Sequence, residues 1–206
     1  MQLAVIFNVL ILVLSVIGIG WNWLENGLEM FQYYTVDSNL LNILAVLCIT
    51  IAEIRSVHKD EFLIPTSIKT FKYVATVCVA LTFTIVLFVL GPQTGSLSGF
   101  IGIFTVRSNL FLHLLCPLLS FLTLCLFEYD PPQKKTAILK ALCPTILYAI
   151  ITIILNALNL LDGPYFFLKV NEQPLQISIL WTCIVLGIDL ILAIIFYLGS
   201  KRNQRI

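Results

Sequence analysis

Apolar residues run in six long blocks, at roughly 3–22, 36–54, 71–90, 105–127, 138–160 and 175–198, with short polar stretches between them. A helix crosses the roughly 30 Å hydrocarbon layer with about 20 such residues at about 1.5 Å per residue. The pattern predicts an all-α polytopic membrane protein with six transmembrane helices. These form one domain spanning 1–206, because little chain remains for a separate soluble unit.

The polar positions inside this pattern repeat. TVDSNL at 35–40 returns seventy residues later as TVRSNL at 105–110, and only the third letter changes, from Asp37 to Arg107. Each copy stands where an apolar block begins, so each is expected to open a membrane helix. Ser178 and Leu180 fall seventy residues after Ser108 and Leu110. The chain therefore reads as parallel two-helix repeats related by an axis along the membrane normal.

Composition agrees with the pattern: 59% hydrophobic and 11% charged residues lie outside the range of soluble globular domains. Of the twelve basic residues, all but Arg107 and Lys169 follow the even-numbered blocks, Lys69 and Lys72 at the junction of the second and third among them. Basic residues near helix ends stay cytoplasmic, which predicts a cell-membrane protein with both termini inside and both motifs near the outer face. The first block has no basic lead and no small-residue cleavage site, so it is expected to be a retained span. All six cysteines fall inside apolar blocks without metal-ligand spacing, and disulfides, metals and organic cofactors are not expected. The partners expected are membrane lipids, not nucleic acid.

Several polar residues inside the blocks could carry chemistry. Thr35, Asn39 and Asn42 share one face of the second helix, and Thr105, Asn109, His113, Cys116 and Ser120 form a stripe on the fourth. Such faces turn toward other helices, where their hydrogen bonds are satisfied. Pro117 is expected to bend the fourth helix. Thr35 and Thr105 either cap their helices or, beside a base, act as nucleophiles. The only histidine in an apolar block is His113, roughly 12 Å below the outer helix end. It is either a packing hydrogen bonder or that base. Asp37 and Arg107 read as an ion pair pinning the second helix to the fourth, or as groups reaching the headgroups. Alternatively Arg107 binds an anionic lipid group or carboxylate. Asp189, deeper in the last helix, reads as a proton or ion site.

Depth sets a condition on any joint role. Motifs entering at equal depth leave Thr35 some two turns above His113. Contact then requires a deeper second helix or an unwound motif. The last outer loop, LDGPYFFLKVNEQP, is rich in aromatics suited to the membrane interface.

YYTVDSNLL, then His113 and Pro117 in FLHLLCPLLSFLTLCLFE, then GPYFFL before the last block, together resemble the bacterial six-helix membrane proteins related to the androgen-induced membrane hydrolases. The likeness runs from the second helix to the sixth. The animal branch of that group hydrolyses fatty acid esters of hydroxy fatty acids with an intramembrane threonine and histidine. The resemblance implies a lipid-ester hydrolase with Thr35 as nucleophile and His113 as base. Acyl-oxyanion donors would come from Asn39, Asn109 or Arg107. The competing reading is a small transporter, lipid-binding or scaffold protein, and a third is acyl transfer to another lipid. Distance separates the first two. An enzyme needs the Thr35 oxygen within about 3.2 Å of His113, or one water away, whereas a transporter predicts a mid-membrane pocket shared by Asn42, Asn109, His113 and Asp189.

Overall fold

The computed structural model describes residues 2–59, 64–128 and 134–202, all of it helix or loop with no strand. Pro131, Pro132 and the basic Arg205 lie outside these residues. Helix α1 is Gln2–Asn26, followed by a 3-10 turn at Gly27–Gln32, and α2 is Tyr34–Lys59. Helix α3, Thr66–Ile85, continues through a π turn at Val86–Leu90 to Gln93. Then come α4 (Leu97–Thr105), a π turn at Leu110–Leu115 leading into α5 (Cys116–Leu126), α6 (Thr136–Ala157) and α7 (Leu175–Arg202). Among the described residues five helices are long and apolar enough to cross a membrane, and α4 with the 110–126 segment passes the same test as a pair bent by 85°, a sixth crossing if the two form one span.

Helix α3 is the central one, touching α2, α5, α6 and α7. Its small residues Ala75, Cys78 and Ala80 are buried and let its neighbours approach closely. Hydroxyls supply the specific links: Ser38 Oγ lies 2.9 Å from Thr82 Oγ1, and the Tyr34 hydroxyl 2.8 Å from Thr145 Oγ1. Each such bond inside a membrane bundle is worth about 0.6–2 kcal/mol. Large side chains such as Ile6, Val13, Leu147, Ile154, Ile191 and Ile195 face outward on α1, α6 and α7. That is the surface a lipid solvent demands.

Lys72, counted with the basic residues between the second and third blocks, does not reach out to a loop. It is fully buried in α3, with the charges of Glu128 and Glu53 close by. The Asn8 amide donates to both carboxylates, at 3.2 Å to Glu53 and 3.1 Å to Glu128. One compact polar cluster thereby ties α1, α2, α3 and the end of α5 together.

The fourth span departs most from expectation. Its apolar block does not begin a helix at Thr105. Thr105 instead ends α4, its hydroxyl donating to the Ile101 carbonyl at 2.9 Å. Ser96 caps α4, accepting from the Gly99 N–H at 3.1 Å. The GPQTGSLSG stretch joins two helices through a short turn, and its residues 92–98 are exposed. Arg107, at φ +54°, turns the chain, and the helix resumes at Ser108. Further on, Pro117 offers no N–H to the His113 carbonyl and its ring crowds that oxygen. The turn before it widens, with the Cys116 N–H donating to the Phe111 carbonyl.

Candidate active site

The break in the fourth span assembles the site. The last bond of the α4 ladder runs from the Val106 N–H to the Gly102 carbonyl, which leaves the Ile103 carbonyl without its usual partner four residues on. His113 Nδ1 takes that carbonyl at 2.7 Å. A carbonyl only accepts, so Nδ1 carries the proton. In the neutral ring Nε2 then presents a lone pair, and it lies 3.3 Å from Thr35 Oγ1. A threonine hydroxyl, an imidazole acceptor and a fixed second nitrogen are thus aligned. Thr35 itself is buried in the first turn of α2. The two-turn offset in depth has disappeared because the second motif unwinds while the first stays helical.

Asn39 locks the arrangement. Its amide donates to the Thr35 carbonyl at 2.8 Å and to the Leu112 carbonyl at 3.2 Å, joining α2 to the π turn that carries His113. Those donors are spent, so Asn39 is a positioning residue and not an oxyanion donor. Asn42 donates to Ser120 Oγ at 2.8 Å, one turn deeper. The polar face of α2 does turn toward the fourth span. On that span Thr105 leaves the stripe, while Cys116 and Ser120 keep it.

Arg107 and Asp37 do not form the expected ion pair. Arg107 Nη1 lies 3.2 Å from Glu25 Oε1, and Ser108 Oγ donates to the other Glu25 oxygen at 3.1 Å. Asp37 faces a groove of about 470 Å³ between α2 and α6, walled by Phe31, Tyr148 and Leu155 among others. Asp189 is fully buried beside Tyr34, Tyr73, Cys78 and Thr145. It lines neither of the cavities that meet at Thr35.

Those two cavities differ in character. On one side of Thr35 lies a polar cleft of about 480 Å³, lined by His113, Asn109, Asn22, Glu25 and Gln93 among others. On the other is an apolar slot of about 50 Å³ between Leu81, Val86, Phe167, Trp181, Val185 and Leu186. Thr35, Leu90 and Tyr165 line both. The slot holds about a third of the ~150 Å³ cavity that admits benzene, so the form seen here is closed to a whole acyl chain. Asn109 and His113 line the polar cleft together, while Asn42 and Asp189 line neither of these two cavities.

Tyr165 is the residue that sequence reasoning did not assign. The loop before the last helix folds back onto the bundle: Phe167 and Leu168 are buried, and Phe166 and Phe167 pack on Trp181. Asn156 anchors this fold-back, accepting from the Val170 N–H at 2.7 Å and donating to the Leu161 carbonyl at 3.0 Å. Tyr165 is thereby set beside Thr35. Burial pushes its phenol up to about 12, with hydrogen bonding to Thr35 offsetting part of the rise. The signal available in the sequence was GPYFFL, with glycine at a position whose φ is +83°.

The fold and site together define a polytopic helical membrane protein with a part-buried threonine–histidine pair, Thr35 standing between a polar cleft and an apolar slot. Comparison with protein families, curated proteins and solved structures finds no match to this chain.

Proposed function

We propose that this protein hydrolyses fatty acyl esters of membrane lipids, with Thr35 as nucleophile and His113 as general base. The observation carrying this reading is the 3.3 Å contact between Thr35 Oγ1 and His113 Nε2, on a ring whose Nδ1 is held by the Ile103 carbonyl. That distance stands a tenth of an ångström beyond ordinary reach, and catalytic hydrogen bonds tighten once substrate is bound. The Ile103 carbonyl fills the orienting role that a carboxylate has in serine hydrolases.

In this mechanism Thr35 Oγ1 attacks the ester carbonyl carbon as its proton passes to His113 Nε2. The C–O bond to the alcohol breaks, and His113 returns the proton to the departing oxygen. Water from the outer cleft, deprotonated by His113, then attacks the acyl carbonyl carbon; the bond to Thr35 Oγ1 breaks, the imidazolium returns its proton to that oxygen, and the acid leaves. The same cleft makes water the acceptor in preference to a second lipid alcohol. Asn109, on the cleft wall, and the Tyr165 hydroxyl, beside Thr35, are the groups assigned to the oxyanion. Asn39 and Arg107 are engaged elsewhere.

Labelling with a fluorophosphonate probe tests the reading. Wild type should label, and Thr35→Val and His113→Asn should lose labelling while their melting profiles stay intact. A folded wild type that resists short-chain and long-chain probes alike would sink the hydrolase. The protein is further proposed to sit in the cell membrane with both termini in the cytoplasm, on the strength of its basic loops. A fluorescent C-terminal fusion together with an inactive periplasmic reporter at the same terminus is the expected result.

A further inference from the structure

The cleft and the slot meet at Thr35, and this sets the direction of a bound ester. With the carbonyl carbon at Thr35 Oγ1, the acyl chain runs toward the apolar slot. The alcohol portion then occupies the polar cleft. The chemistry of the cleft wall therefore selects the alcohol.

That wall carries the neutral groups of Asn22, Asn26, Gln93, Thr94 and Asn109; Asn22 donates to Ser108, Asn26 to Asn22 and Thr94 to the Gly91 carbonyl, so Gln93 and Asn109 are the amides most open to a guest. Such groups both donate and accept, which suits a hydroxyl-bearing guest. Among the described residues no lysine or arginine lines the cleft, and its one formal charge is Glu25. The nearest cations are spoken for. Arg107 is paired with Glu25, and Lys169 lies between Asp162 at 3.1 Å and Glu172 at 3.2 Å. A phosphate or carboxylate in the cleft would meet the Glu25 carboxylate, and among the described lining residues no cation stands ready to receive it. A volume of about 480 Å³ accommodates a small polyol with several hydrogen bonds.

We infer that the cleft selects an uncharged, hydroxyl-rich alcohol, such as the glycerol of a single-chain acylglycerol, and rejects alcohols that carry an anionic group. This rests on the hydrolase reading for the direction of the ester, though not for the preference of the cleft itself. The Glu25–Arg107 pair is the selectivity element: it occupies the one arginine that could otherwise capture an anion.

Binding of two ethers that cannot be hydrolysed separates this from the reaction. A 1-O-alkylglycerol is compared with the chain-matched ether acid in which the terminal CH2OH is a carboxylate. Titrations use the full chain in nanodiscs as wild type and as Thr35→Ala. Partitioning into lipid is subtracted with Ala149→Phe, which plugs the slot. The alkylglycerol should bind at least tenfold more tightly than the acid in both proteins. Glu25→Gln, by releasing Arg107, should narrow or invert that ratio, and Gln93→Leu should weaken the alkylglycerol alone. Equal or tighter binding of the acid to wild type would overturn the inference, as would binding of neither ether. If the alkylglycerol is preferred but no fluorophosphonate labels Thr35, the cleft assignment stands and the hydrolase falls.

Discussion

The carbonyl oxygen of Ile103 lies 2.7 Å from Nδ1 of His113, although the two residues belong to one span and stand ten positions apart. In an unbroken helix ten residues separate two groups by about 15 Å along the axis. The contact exists because the span turns through 85° between them. The same turn frees the carbonyl and swings the imidazole toward Thr35. The unwound motif therefore has a chemical consequence: it fixes which ring nitrogen faces the hydroxyl.

Helix α1 supports this geometry from behind. A Cβ placed on Gly18 would lie 2.7 Å from Phe111 Cβ and 2.8 Å from Leu112 Cδ2, both in the π turn that carries His113. Gly18→Ala should therefore cost about 1–3 kcal/mol through overpacking. It should also slow fluorophosphonate labelling by shifting the π turn. Gly20, on the same helix, has nothing within 4 Å, and Gly20→Ala should change neither melting nor labelling.

Tyr165 is expected to act on the transition state. Tyr165→Phe should lower kcat about 10²–10³-fold with KM nearly unchanged, the pattern of a lost oxyanion donor. Alkaline melting gives a second readout. The phenol pKa is raised to about 12 in the folded protein from an ordinary 10, so the native state holds this proton more tightly than the unfolded chain. The stability this contributes is complete below pH 10 and is lost as pH rises toward 12. The variant should lack that component of the alkaline loss.

Acyl-chain length should depend on the slot. Ala149 lines it on the α6 side, and Ala149→Phe would fill much of a space of about 50 Å³. Long-chain phosphonates should label this variant at least tenfold more slowly than wild type, while short-chain probes keep their rate. Equal slowing of both would place the chain elsewhere, with the lipid-facing groove beside Asp37 as the next site to probe.

Double-mutant cycles distinguish the charge pairing found from the one the motif comparison predicted. Arg107 and Glu25 should couple by about 0.2–1 kcal/mol in thermal stability, the range for an exposed pair. Arg107 and Asp37 should show no coupling. The residue at 107 also bears a left-handed backbone conformation that costs a non-glycine side chain roughly 1–2 kcal/mol. Arg107→Gly should consequently destabilise less than Arg107→Ala.

The run of apolar blocks was enough to determine an all-helical membrane protein, because a bilayer leaves the backbone few ways to satisfy its hydrogen bonds and helix length follows hydrocarbon thickness. The faces of Thr35, Asn39 and Asn42 on one span, and of His113, Cys116 and Ser120 on another, were likewise legible, since helical periodicity stacks residues three and four apart. Tertiary structure decided the rest. TVDSNL and TVRSNL are nearly identical, yet the first begins a helix and the second breaks one. Local propensity barely distinguishes them; Glu25 from α1 receives Arg107 and Ser108 only in the broken form. Tyr165 reached Thr35 through a loop anchored by Asn156, and Lys72 came to lie buried near the charges of Glu53 and Glu128. Pairings between distant segments follow from packing, and no periodicity along the chain encodes them.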